Sequence, residues 1–261
     1  MKIIENQKVN NMSRVLSVKR MSGEGRSEDP GYQAVTEDFI SIFLNGEHLQ
    51  NIPCTPEHLP ELVIGWLVSE RHLKDTRNVE NVTIEGNVND GAGNLTALVE
   101  AGTSCEDNTR SGAGKLFDPL DMNDLSNWEW IFKLQKRFDL ERPLRKLTKA
   151  SHSCMIVRIK ADGFKYNDLE ILYQSEDAGR HSAMDKAAGW GLIRGIDMSS
   201  CILFTSGRIS TAMVRTAVAS GVSALATAKP LVTDGAIRTA REAGLLLAGI
   251  DEETKEIYIF S

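Results

Sequence analysis

The chain has 261 residues, 41% of them apolar and 25% charged, with a formal net charge of -6 and a pI near 5.5. That length can bury a real hydrophobic core. The acidic balance excludes a whole-molecule basic field for nucleic acid but leaves room for a local phosphate pocket, and no apolar run approaches the ~20 residues of a membrane helix.

Residues 1–30 are polar and contain Ser22-Gly23-Glu24-Gly25-Arg26-Ser27, which predicts a flexible arm. This stretch has no apolar run of the kind a secretory signal needs, so the expected location is the cytoplasm. Phe39 to Leu44 reads as a strand, Asn45-Gly46 as a hairpin turn, and the return strand ends near Pro53. Thr55-Pro56-Glu57 has the form of a helix start, with Thr55 as cap, and Leu59, Leu62, Val63, Trp66 and Leu67 follow at helical spacing. Val79 to Val99 alternates like an antiparallel pair broken at Asn89-Asp90-Gly91. Glu100 to Gly114 is a Gly-, Ser- and Asn-rich loop holding Cys105, and residues 119–147 read as helical. Strands at Met155–Ile159, Leu169–Tyr173, Cys201–Thr205, Ala224–Ala226, Leu245–Ile250 and Glu256–Phe260 then alternate with helices at Ala183–Arg194, Thr211–Ala219 and Gly235–Ala243. Such alternation predicts a three-layer α/β domain around a partly parallel sheet.

Four segments carry residue types suited to chemistry. Ser206-Gly207-Arg208 lies between a buried strand and a helix, where open α/β sheets bind ligands and free helix amides attract anions. Gly207 admits close backbone approach, Ser206 can donate a hydrogen bond, and Arg208 can clamp a phosphate, although a plain turn with a surface arginine would read the same way. Glu176-Asp177-Ala178-Gly179-Arg180-His181 also joins a strand to a helix and is richer in polar groups than a capped helix start requires. Thr148 to Cys154 puts His152 and Cys154 on one face if it is a strand, with Cys154 read as a buried thiol. Cys54 and Cys201 sit in apolar surroundings and read as core, whereas Cys105 is a loop thiol open to chemistry or to none. No Cys-x-x-Cys pair and no zinc spacing is present, and free thiols are expected in a reducing compartment.

Taken together these segments resemble a known family. Glu176 to Lys186, EDAGRHSAMDK, resembles the EDxGRHNAxDK signature of the FdhD/NarQ formate dehydrogenase accessory family, and Ser206-Gly207-Arg208-Ile209-Ser210 resembles its SGRxS segment. Thr148 to His152 stands where the family has TGGxH. Phe43 to Glu47, Thr55 to Leu59 and Gly65 to Glu70 match its N-terminal pattern. The resemblance implies a C-terminal three-layer cytidine-deaminase-like domain, here residues 116–261, and a smaller N-terminal α+β domain, residues 31–115, bearing the cysteine loop. It implies a homodimer that receives sulfur from a cysteine desulfurase and passes it to the molybdenum bis(guanine dinucleotide) cofactor of formate dehydrogenase. That cofactor is a bound substrate, and no tightly held metal is expected. Cys105 takes the place of the persulfide cysteine. Asp177, Gly179, Arg180, His181, Ser206, Gly207 and Arg208 form the implied cofactor pocket, together with Ile250, Asp251, Glu252, Glu253, Thr254 and Lys255, where the family has a basic segment and this chain an acidic one. The second cysteine of the family's SCGxCG loop is missing here, and Glu106-Asp107-Asn108 follows Cys105.

Two further readings compete. A non-catalytic cofactor-binding chaperone would keep the pocket without the sulfur step. A zinc deaminase would need His-x-Glu and Cys-x-x-Cys, and neither is present.

Overall fold

The computed structural model describes residues 1–8, 12–23, 25–87, 95–102, 129–159 and 169–260. Two large sheets carry the fold. The first comes from the N-terminal half: β1 (Lys2–Lys8), β4 (Asp38–Leu44), β5 (Glu47–Cys54), β6 (Val79–Asn87) and β7 (Leu95–Ala101), in the order β1-β6-β7-β4-β5. Between β1 and β4, β2 (Ser13–Ser22) and β3 (Gly25–Val35) pair with each other as a separate antiparallel ribbon.

The second sheet has six strands in the order β13-β12-β11-β10-β8-β9: β8 (His152–Ile159), β9 (Leu169–Asp177), β10 (Cys201–Thr205), β11 (Ala224–Thr227), β12 (Leu246–Asp251) and β13 (Glu256–Ile259). Strands β10, β11 and β12 run parallel, and β8, β9 and β13 are joined antiparallel. The period-two alternation of a strand divides its side chains between two cores. Met155, Val157, Ile202, Phe204, Ala224, Ala226 and Ala248 meet Ile131, Leu134 and Phe138 of α2 (Glu129–Leu140) on one face. Cys154, Ile156, Cys201, Leu203, Leu225 and Leu247 face the helix layer of α4 (Arg180–Ile193), α5 (Thr211–Ser220) and α6 (Asp234–Ala243) on the other. The short α3 (Pro143–Thr148) leads into β8. Helices thus lie on both faces of a mixed sheet, as the alternation of strands and helices predicts.

Helix α1 (Leu59–Ser69) is buried along nearly its whole length, from Leu59 to Val68, because it lies between the first sheet and the α4–α5 layer and shares one core with both. It meets α4 backbone to backbone. A Cβ on Gly65 would overlap the carbonyl oxygen of Asp185, and one on Gly189 would overlap that of Glu61. Only glycine permits this approach.

In the N-terminal half the structure departs from the sequence reading at residues 1–30 and at the start of α1. Residues 1–30, expected to be a flexible arm, contain β1, β2 and most of β3. β1 joins the first sheet as a parallel edge strand beside β6, through main-chain pairing that needs no apolar side-chain pattern and so leaves little signal. Thr55 does not cap α1: the helix begins at Leu59 with His58 at the cap position in left-handed geometry (φ 52°), and Thr55 is engaged elsewhere.

Candidate functional site

The carboxyl ends of β9, β10, β11 and β12 and the start of β8 lie along one edge of the second sheet. Strand register sets His152 opposite Asp177, Cys154 opposite Thr205, Thr205 opposite Thr227, and Thr227 opposite Gly249. The EDAGRH and SGR segments therefore meet at this edge. The contact is direct: a Cβ on Gly207 would lie 3.0 Å from the Arg180 Cβ and 3.3 Å from its Cδ, so the arginine stem packs flat on the glycine.

The predicted residues play unlike parts. Asp177 and Lys186 are fully buried and form an ion pair, Nζ to Oδ2, of 2.7 Å. Asp177 also accepts the amides of Thr55 at 2.9 Å and Gly179 at 2.8 Å, while Lys186 donates to the Thr55 carbonyl at 2.8 Å. The Thr55 hydroxyl donates to the Thr36 carbonyl and accepts from the amide of Ala178. Asp177 is thus a buried support under the edge, tied to the first half of the chain, and its carboxylate is fully engaged. Gly179 is the N-cap of α4 and Ser210 that of α5, and neither helix start is closed by a side-chain cap. The Ser210 hydroxyl lies instead 3.1 Å from the His181 Nε2. Ser206 exchanges backbone bonds with β8, its amide donating to the Ser153 carbonyl and its hydroxyl accepting from the Ser153 amide, both at 3.0 Å, which leaves its own proton to donate. Arg208 is exposed and pairs with no carboxylate among the described residues. The Nε of Arg180 is buried without a hydrogen-bond partner among them.

Three features of the edge lie beyond the predicted pocket. His152 is half-buried beside Asp177. Arg142 donates to the Ser153 hydroxyl at 2.9 Å with its guanidinium over the Phe138 ring, and Arg145 donates to the Lys149 carbonyl. Glu176 fixes the start of α3, accepting from the amides of Leu144 at 2.8 Å and Arg145 at 2.9 Å and from the Ser151 hydroxyl. Burial, then the charge of Arg180, then those of Arg145 and Arg142 lower the pKa of His152 against the opposing pull of Asp177. Burial, then Arg180, then His152 lower that of His181. Both shifts favour the neutral imidazole. One signal for Lys186 was present in the sequence: a lysine inside the small-residue run Ala183-Met184-Asp185-Lys186-Ala187-Ala188 must be buried with a partner or break the helix packing.

The segment from Ile250 to Lys255 is the end of β12 and the turn to β13, with residues 252–255 exposed. Ile250 is a core residue with no exposed surface. Asp251 accepts the amides of Glu253 and Thr254, the Thr254 hydroxyl bonds Glu256, Gln135 donates to Glu252, and the Lys255 amine lies 5.4 Å over the Phe132 ring. Cys105, the predicted sulfur carrier, lies outside the described residues. The other three cysteines are buried, as read from their surroundings; burial raises the thiol pKa of Cys54 to about 12 and also raises those of Cys154 and Cys201. Among the described residues no cluster of three or more metal-ligating side chains is present, and no helix is long and apolar enough to cross a membrane.

Residues 35–261 match the model of the FdhD/NarQ family. The chain belongs to the FdhD/NarQ family. Among its FdhD relatives, the sulfur carrier protein FdhD of Geobacillus kaustophilus is 30% identical over 242 residues, 86% of this chain and 87% of that protein. Protein FdhD of Methanocaldococcus jannaschii is 26% identical over 248 residues, 94% and 95% of the two chains. A solved structure described as a formate dehydrogenase accessory protein from Desulfotalea psychrophila superposes with a TM-score of 0.71 over 96% of this chain and 97% of the other. Its sequence identity is 17%, so that likeness speaks for the fold alone. The FdhD/NarQ match takes in the second sheet, the first sheet apart from β1, and the whole of the edge described above.

Proposed function

We propose that the chain is a sulfur carrier for the maturation of a formate dehydrogenase. In this reading the Cys105 thiolate attacks the terminal sulfur of a cysteine desulfurase persulfide, the desulfurase thiolate leaves, and the sulfur passes on to a molybdenum bis(guanine dinucleotide) cofactor held at the sheet edge as substrate. The observation that carries it is the meeting of Arg180, Arg208, His152 and His181 with two uncapped helix starts, within a chain of this family. Such an edge suits the phosphates of a guanine dinucleotide, with Arg208 and the α5 amides engaging them. The names of the relatives support the sulfur step, and so does the burial of Cys54, Cys154 and Cys201, whose raised pKa values suppress the thiolate. We further propose that residues 116–261 form a cytidine-deaminase-like domain beside an N-terminal domain at 31–115, and that the protein works as a cytoplasmic homodimer with formate dehydrogenase and a cysteine desulfurase as partners.

One observation favours the chaperone reading: the family's second loop cysteine is missing, and the charges of Glu106 and Asp107, which follow Cys105, oppose a thiolate. Sulfur labelling from a cysteine desulfurase decides between the two. Label on the wild type that is lost in Cys105→Ala supports the carrier; no label on a wild type that still binds nucleotide leaves the chaperone. Calorimetry with GDP tests the pocket. Charge-assisted bonds of roughly 1.5–3 kcal/mol each predict that Arg208→Ala weakens binding by about one to two orders of magnitude. Arg208→Lys restores only part of it, because lysine lacks the planar fork. Unchanged affinity in Arg208→Ala removes Arg208 from the site.

A further inference from the structure

His152 and His181 come from different elements, β8 and the first turn of α4, and both stand beside the Arg180 side chain that packs on Gly207. Two more guanidinium groups act on His152: Arg142, the residue before α3, which pairs with Asp139 at 2.9 Å, and Arg145 of α3. The carboxylate opposite it in the strand register, Asp177 at the end of β9, is already paired with Lys186 and bonded by two amides. From α5 the group facing His181 is the Ser210 hydroxyl, which has no charge. The half-buried imidazoles thus stand among arginines, and the carboxylates of this edge are already engaged: Asp139 with Arg142, Asp177 with Lys186, and Glu176 with two amides and the Ser151 hydroxyl.

We propose that His152 is a further anion-binding residue and that binding of a phosphate-bearing ligand at this edge takes up protons onto His152 and His181. The inference rests on the reading of the edge as a phosphate pocket. In the free protein, burial and the neighbouring arginines favour the neutral form of both rings. A bound phosphate places negative charge among those arginines and reverses the sign of the local field, so each ring then gains by accepting a proton and donating it to the ligand as a charge-assisted bond. The protons come from the solvent, and no covalent bond changes. Linkage fixes the direction of the effect. Affinity rises as pH falls, by about tenfold per pH unit for each proton taken up, across the window between the lowered free values and the raised bound ones.

The test is calorimetry with a diguanosine pyrophosphate, whose phosphates are esterified at both ends and carry no proton that titrates near neutrality. Titrations run in buffers of different ionisation enthalpy from about pH 8 to about pH 6, the range in which histidine switches. The expected result is a binding enthalpy that varies with the buffer in the sense of proton uptake, with affinity rising on acidification. His152→Gln and His181→Gln, each checked for native circular dichroism, should each lose about one proton of uptake. Binding with a buffer-independent enthalpy and an affinity flat in pH would overturn the coupling and leave the pocket standing. Wild type that does not bind the dinucleotide at all removes the pocket and the inference with it.

Discussion

Asp177 and Lys186 are the residues on which the site rests, and their burial sets what substitution will do. Removing one member of a fully buried ion pair strands the other charge, at a cost of about 3–5 kcal/mol. Lys186→Met should therefore unfold at much lower denaturant, and adding Asp177→Asn should recover part of the loss. A Lys186→Met protein within about 1 kcal/mol of wild type would refute the pairing. The neighbouring Asp185 behaves differently. It is buried where α1, α4 and α5 meet, and desolvation, outweighing side-chain hydrogen bonds from Thr216 (a long one of 3.4 Å) and Ser69, raises its pKa from 3.8 to about 8. A carboxyl whose pKa is raised by folding contributes its full stability below its unfolded pKa of about 3.9 and loses it as pH climbs toward the folded value. Asp185→Asn should flatten the dependence of stability on pH between about 4 and about 8; an unchanged profile in denaturant titrations would exclude Asp185 as its source. Much at this scale was legible in the sequence. The two motifs were read as one pocket, and the packing of Arg180 on Gly207 brings them together. The role of Asp177 was not legible, because a carboxylate in a motif reads alike whether it faces a ligand or a buried lysine. The burial of the Ile250 side chain was not legible, because position in a segment carries no information about which face of β12 a side chain takes.

At the scale of elements, the crossing of α1 and α4 is the contact most sensitive to change. Its two glycines let backbone meet backbone, so a single methyl group at either position forces the helices apart. Gly65→Ala should cost about 1–3 kcal/mol or more, as overpacked cores do. Chemical denaturation reads this directly, and a neutral Gly65→Ala would mean that the helices can separate without loss. The strands of the second sheet were legible because each is an apolar run between turns, and the stops of α5 and α6 because Gly221 and Gly244 sit in the left-handed region that ends a helix. β1, β2 and β3 were not, since strands of polar composition with little buried side chain leave no periodic trace. The start of α1 was misread for a related reason: Thr55-Pro56 has the chemistry of a cap, and only the tertiary partner Asp177 shows that the threonine is engaged elsewhere.

For the molecule as a whole, the shared core and the Thr55 bonds make the two sheets one mechanical unit. The Thr55 amide, donated to a buried carboxylate, should exchange with solvent only through global opening. Hydrogen exchange should give the segment around Thr55 protection equal to that of β10, and exchange at the rate of an ordinary loop would show that the halves open separately. The same arrangement bears on how such a chain can be inherited. Thr55 supplies an amide to Asp177 and a carbonyl to Lys186 from a position far upstream of both. A recombination breakpoint between the sheets would then pair one lineage's loop with another lineage's buried charges. Descendants with that crossover should survive only where the donor's loop presents the same two groups at the same place, so the two halves are expected to travel together as one heritable block.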